Sequence, residues 1–148
     1  MLLSAIVLVS DVMTKNVISV DTSTTIFEAV TTMIESEVGC IVVLKAGDVV
    51  GILTKGDVLG RGLLRGIDPK RDLVEKVMSR NVSTIGKDAT LEEASRLMSA
   101  KKISKLPVID SGKLVGIITS SDIIRHEPSM VGYLRELIKT RYVPHELA

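Results

Sequence analysis

Apolar positions along the chain follow a pattern that switches between two periods, and the whole cycle of switches occurs twice. In the first half the run Val17 to Val20 predicts a short strand. Ile26, Ala29, Val30, Met33 and Ile34 then recur at the spacing that places apolar side chains on one face of a helix. In the second half Val82 to Ile85 predicts the strand, and Leu91, Ala94, Leu97 and Met98 predict the helix. Both helices carry the same start signal, because Thr25 precedes Glu28 and Thr90 precedes Glu93 by three residues, the spacing of a capping box. Period two returns in Cys40 to Leu44 and Val49 to Thr54, split by Ala46-Gly47-Asp48. It returns again in Leu106 to Ile109 and Leu114 to Thr119, split by Asp110-Ser111-Gly112-Lys113. Each pair predicts a hairpin, and a further helix is expected to start near Lys55 and near Ser120.

This doubling is a sequence repeat at a constant offset of 65 residues. Aligning residues 12–58 with 77–123 gives 15 identities in 47 positions, without a gap. Among them are Val12-Met13 with Val77-Met78, Val50-Gly51-Ile52 with Val115-Gly116-Ile117, Thr54 with Thr119 and Asp57 with Asp122. Each copy therefore reads β-α-β-β-α, an α/β (α+β) unit of about 50 residues that buries too little surface to stand alone. Two copies packed about a pseudo-twofold axis would share a core and leave two related clefts between them. The expected layout is a first repeat over 8–65, a basic linker over 59–73 that extends the helix begun near Lys55, a second repeat over 74–126, and a C-terminal helix and tail over 127–148. Within that last part Met130 to Thr140 is expected to be helical and Arg141 to Ala148 to fray.

Composition narrows the function classes. Hydrophobic residues make up 45% of the chain and aromatic residues 2%, so the core is to be built from aliphatic side chains and methionine. A formal net charge of +1, few aromatics and no Trp leave neither a basic footprint nor stacking platforms for nucleic acid. The apolar start, Leu2 to Val9, is far short of a membrane span of roughly 20 residues. It is expected to pack on a domain edge, in a cytoplasmic protein without membrane association. Cys40 is the single cysteine of the sequence and cannot form an intrachain disulfide. Two histidines, His126 and His145, stand in no nucleophile motif, and with one cysteine they do not make a metal cluster. Gly60-Arg61-Gly62 lacks the third glycine of a dinucleotide fingerprint. The expectation is a protein without catalysis, metal or obligatory cofactor.

Thr54-Lys55-Gly56-Asp57 and Thr119-Ser120-Ser121-Asp122 are the chemistry-bearing segments. Taken singly, Thr-x-x-Asp is a helix capping box and needs no further role. In context, Gly51-Ile52-Leu53-Thr54-x-x-Asp57 and Gly116-Ile117-Ile118-Thr119-x-x-Asp122 closing two β-α-β-β-α copies resemble the cystathionine-β-synthase (CBS) domain pair, or Bateman module, in its stand-alone tandem form. Lys105-Leu106-Pro107-Val108-Ile109-Asp110 resembles that family's second-strand pattern, and the segments ending in Met13-Thr14 and Met78-Ser79 resemble its lead-in to the first strand. The resemblance spans residues 8–125.

What it implies is a regulatory module that binds AMP, ADP, ATP or a compound such as S-adenosylmethionine and acts on a partner. One carboxylate can accept from both ribose hydroxyls, and charge-assisted hydrogen bonds of this kind are worth about 1.5–3 kcal/mol. Carried over, Thr54 and Asp57 would face Met78, Ser83, Ile103, Ser104 and Lys105, while Thr119 and Asp122 would face Met13, Ile18, Val38, Gly39 and Cys40. Lys105 would favour phosphorylated ligands at Asp57, and Cys40 at the equivalent place would leave the Asp122 cleft weaker or suited to a less charged compound. The first copy departs from the family at Cys40, Ile41 and Val42, where the second has Lys105, Leu106 and Pro107. Two rivals stand beside this reading. One is a ligand-free docking or homodimerisation scaffold using Val30, Ile34, Leu63, Leu64 and Leu97, with or without an effector protein. The other is a nucleic-acid binder using the linker and Lys101-Lys102, which the even charge disfavours.

Overall fold

A computed structural model of the chain describes residues 5–135. The start of the apolar segment, the helix expected beyond residue 135, the tail from Arg141 to Ala148 and His145 lie outside the described residues. The elements are α1 (Val9–Val12), β1 (Ser19–Asp21), α2 (Ile26–Glu35), β2 (Cys40–Lys45), β3 (Asp48–Thr54) and α3 (Lys55–Asp57), then β4 (Ile85–Gly86), α4 (Leu91–Lys101), β5 (Lys105–Asp110), β6 (Lys113–Thr119) and α5 (Ser120–His126). They form two three-stranded sheets, ordered β1-β2-β3 and β4-β5-β6. In each the first strand runs parallel to the second, and β2 runs antiparallel to β3. The α/β class and the β-α-β-β-α order expected from the periodicity are both present.

Local chemistry explains these elements. Thr25 accepts from the Glu28 N–H at 3.1 Å while Glu28 accepts from the Thr25 N–H, and Thr90 and Glu93 repeat the exchange. Both capping boxes are thus formed. The hairpin between β2 and β3 turns through Ala46 (φ 51°) and Gly47 (φ 85°), and its counterpart turns through Ser111 (φ 49°) and Gly112 (φ 79°). Two successive positive φ values define the turn whose twist matches that of the flanking strands.

The described chain divides into two compact units that cut across the repeats. One holds residues 16–83 with 112–114, so it joins the body of the first repeat to the lead-in of the second. The other holds 5–15, 84–111 and 115–135, the converse combination. In the first unit Val74 N–H donates to Thr24 O (2.9 Å), and Ile52 and Ser79 exchange backbone hydrogen bonds of 2.8 and 3.1 Å. Val74, Val77 and Met78 of this lead-in are buried against Ile26, Met33 and Leu53. In the second unit Val9 N–H donates to Ala89 O (2.8 Å), and Thr14 and Ile117 exchange bonds of 2.9 and 3.0 Å. These pairs are related by the offset of 65. Each buried aliphatic side chain contributes about 1.5–3 kcal/mol, so each lead-in is fastened mainly by its apolar residues.

Two expectations are corrected. The first strands lie later than Val17–Val20 and Val82–Ile85, at Ser19–Asp21 and Ile85–Gly86. They begin where a parallel neighbour is in register, Ser19 opposite Val42 and Ile85 opposite Val108. The helix begun at Lys55 does not run on regularly. After Asp57 it widens into a π-turn over Val58–Gly62 and tightens into a 3-10 turn over Leu63–Arg65, ending at Gly66 with φ 71°. Gly60 and Gly62 weaken the helix there.

Candidate functional site

Both Thr-x-x-Asp segments form a strand-to-helix corner. In the first unit Thr54 N–H donates to Asp57 Oδ2 (2.9 Å), and Asp57 N–H donates to Thr54 Oγ1 (3.1 Å). In the second, Thr119 N–H donates to Asp122 Oδ2 (3.0 Å) and Asp122 N–H to Thr119 Oγ1 (3.1 Å). The capping role is therefore real in both. It engages Oδ2 of each carboxylate and leaves Oδ1 to neighbouring side chains.

The surroundings of the two carboxylates differ. Asp57 is the more enclosed, with 11% of its side chain exposed against 17% for Asp122. Arg61, one helical turn beyond Asp57, places Nη2 3.4 Å from Asp57 Oδ1. The same guanidinium donates to Met78 O (3.3 Å) and to Ser79 Oγ (3.1 Å). Ser79 Oγ in turn stands 3.4 Å from Asp57 Oδ1. A triad of Asp57, Arg61 and Ser79 thus ties the corner to the lead-in. At the other corner Arg125 approaches Asp122 Oδ1 at 3.6 Å from a side chain that is 76% exposed. A cavity of about 250 Å3 lies there, lined by Asp11, Val12, Asp122, Arg125 and His126.

Behind each corner stands a methionine. A Cβ built on Gly51 would collide with the Sδ and Cγ of Met78, and one built on Gly116 would collide with the same atoms of Met13. The lead-in thus approaches each glycine of the Gly-Ile-Leu/Ile-Thr segments closely. Thus Thr54, Asp57 and Met78 are brought together within one unit, and Thr119, Asp122 and Met13 within the other.

The remaining expected residues are placed as follows. Ile18, Val38, Gly39, Cys40 and Ser83 belong to the unit that contains Asp57. There Gly39 O accepts from Lys55 N–H (3.2 Å), Cys40 pairs with Thr54, and Ile18 O accepts from Val42 N–H (3.1 Å). Ile103, Ser104 and Lys105 belong to the unit that contains Asp122, where Ser104 O accepts from Ser120 N–H (2.9 Å). Arg61 as an Asp57 partner, Ser79 and Arg125 are absent from the sequence-derived set. The spacings i, i+4 and i, i+3 on a helix point to Arg61 and Arg125. Ser79 is marked only by following Met78. Among the described residues no group of three His, Cys, Asp or Glu is arranged to hold a metal ion, and no helix is long and apolar enough to cross a membrane.

Comparison with known proteins adds the family. The family model described as CBS domain matches residues 9–63 and again 74–129. The CBS domain-containing protein YhcV of Bacillus subtilis is 36% identical over 121 residues, covering 82% of this chain and 86% of that protein. The solved CBS domain pair of protein MJ0100, in complex with 5′-methylthioadenosine and S-adenosyl-L-methionine, superposes with a TM-score of 0.73 at 31% identity, covering 84% of this chain and 98% of that one. CBSX2 in complex with AMP gives a TM-score of 0.71 at 26% identity, over 83% and 97%.

Proposed function

This chain belongs to the CBS domain family, with two copies of the domain along its length, and from that premise we propose that it is a non-catalytic regulatory module for an adenosine nucleotide. The observation that carries the reading is the pair of corners, each an enclosed carboxylate whose second oxygen is met only by a displaceable arginine or serine side chain, backed by methionine. A diol supplies two O–H donors to that oxygen set, and the exposed Arg61 and Arg125 side chains can swing away to admit it. One proposed site uses Thr54, Asp57 and Met78 with Ser83, Ile103, Ser104 and Lys105. The other uses Thr119, Asp122 and Met13 with Ile18, Val38, Gly39 and Cys40. The complexes of MJ0100 and CBSX2 support adenosine compounds as the ligand class. The bound ligand acts through a cytoplasmic partner or a change of assembly.

A melting-temperature series with adenosine, AMP, ADP, ATP, S-adenosylmethionine and NAD tests this, because a ligand specific for the native state raises the melting temperature by mass action. At least one adenosine compound is expected to stabilise the protein, and the variant carrying both Asp57→Asn and Asp122→Asn is expected to lose that response. Retention of the full response by the double variant refutes the assignment.

A second reading, homodimerisation, is favoured by one specific feature. Phe27, Ile34, Leu59, Leu63 and Leu64, on α2 and the turns after α3, are 51%, 69%, 59%, 64% and 85% exposed. Large apolar side chains at that exposure, all within one unit and with Ile34 and Leu59 lining a common pocket, suit a self-complementary surface.

A further inference from the structure

Beside the Asp57 corner lies a groove of about 630 Å3 that the proposed nucleotide site does not absorb. Its lining includes Arg61, Arg65, Lys76 and Arg80, with Glu75 as the one carboxylate among the lining residues. Two of these cations are already compensated. Arg61 is 3.4 Å from Asp57 and Lys76 Nζ is 3.0 Å from Asp72 Oδ1. The other two are not, since Arg80 donates to the neutral carbonyl of Glu75 (2.9 Å) and the Arg65 side chain makes no hydrogen bond or ion pair among the described residues. Both are exposed, so they can turn toward an incoming anion.

The repeat supplies an internal control. At the offset of 65 the counterparts of Arg61, Arg65, Lys76 and Arg80 are His126, Met130, Asp11 and Lys15, so a full cation recurs only at the Arg80 position. The cavity beside Asp122 is lined by Asp11, Asp122, Arg125 and His126, two carboxylates against one guanidinium. The groove beside Asp57 is thus the larger and more basic of the two. Guanidinium forks match phosphate oxygens two at a time, which favours a chain of phosphates over a single one.

We propose that Arg65 and Arg80, joined by Arg61 once a ribose displaces it from Asp57, hold the phosphate chain of a nucleoside di- or triphosphate whose ribose rests on Asp57. The first site would then select polyphosphorylated nucleotides, while the Asp122 site would not. This inference rests on the nucleotide reading above. Its test is isothermal titration calorimetry without divalent cations, using adenosine, AMP, ATP and inorganic tripolyphosphate. The proteins compared are the natural chain, the Arg65→Ala/Arg80→Ala variant and the Arg65→Lys/Arg80→Lys variant.

ATP is expected to bind the natural chain on the order of tenfold more tightly than AMP, the scale of one or two charge-assisted hydrogen bonds. The double alanine variant should bring ATP down to the affinity of AMP and leave adenosine unchanged, and the double lysine variant should keep most of the preference. Equal affinity for AMP and ATP in the natural chain, or an undiminished preference in the alanine variant, overturns the inference while adenosine binding leaves the nucleotide reading standing. Tripolyphosphate binding as tightly as ATP also overturns it, by making the groove a site for the free polyanion. Absence of binding by adenosine, AMP and ATP alike refutes the nucleotide reading itself.

Discussion

Gly51→Ala is the substitution whose cost is best defined by the geometry. The added methyl would collide with Met78 Sδ and Cγ and lie 3.1 Å from Ser79 O. Neither neighbour can give easily. Met78 is 3% exposed, and Ser79 O is held by the Ile52 N–H at 3.1 Å. Overpacking of this kind costs about 1–3 kcal/mol, and a blocked retreat places Gly51→Ala toward the upper end. For a chain of this size about 2 kcal/mol lowers the melting temperature by roughly 4–8 °C.

Gly116→Ala provides the matched control. Its methyl meets Met13 and lies 3.0 Å from Thr14 O, but Met13 is only half-buried and can rotate outward. Its cost is expected near 1 kcal/mol. Met78→Ala alone should cost about 2–4 kcal/mol through the cavity it leaves. Combined with Gly51→Ala the clash disappears and the new methyl enters that cavity, so the double variant should be at least 1 kcal/mol more stable than the sum of the two single changes predicts. Urea denaturation of the four proteins measures this coupling. Additivity within about 0.5 kcal/mol, or a Gly116→Ala cost equal to that of Gly51→Ala, would refute the argument that the lead-in is clamped over the glycine.

The helix caps make a second prediction: Thr90→Ala should cost about 1 kcal/mol in thermal or chemical denaturation, and Thr25→Ala a similar amount, since each loses the acceptor for an N3 amide. The carboxyl of Asp72 is held below its ordinary value by the Asp68 N–H and, secondarily, by Lys76. A depressed folded-state pKa stabilises the protein above the unfolded value, near 3.9, and the contribution fades as pH falls through the folded value. Asp72→Asn should therefore lower stability at neutral pH, with the difference from the natural chain shrinking below about pH 4; a pH-independent difference would assign the effect to lost hydrogen bonding alone. On the surface, Leu64→Lys should leave the melting temperature within about 1 °C because Leu64 is 85% exposed, yet abolish any dimer seen by sedimentation velocity. A dimer unaffected by that change would remove the apolar face as its interface.

The sequence by itself determined the elements whose signals are local and repeated. The capping boxes at Thr25 and Thr90, the two positive-φ hairpin turns and the Thr-x-x-Asp corners each depend on residues within four positions of one another, so composition and spacing suffice to foresee them. The duplication did the rest, since one unit seen twice in register implied the family and the two carboxylates. Tertiary structure alone decided where the parallel strands begin, because Ser19 and Ile85 are strand residues only by virtue of Val42 and Val108 beside them. It alone decided that each lead-in joins the unit built from the other repeat's body, a choice made by buried residues such as Val74, Val77 and Met78 far along the chain from their partners. The site divides in the same way. Asp57 and Asp122 were legible as capping carboxylates, whereas Ser79 beside Asp57, Met78 over Gly51 and the basic groove exist only once residues 74–80 are folded against residues 51–65. A spacing of ten residues or more carries no periodic signal, and only packing brings such groups together.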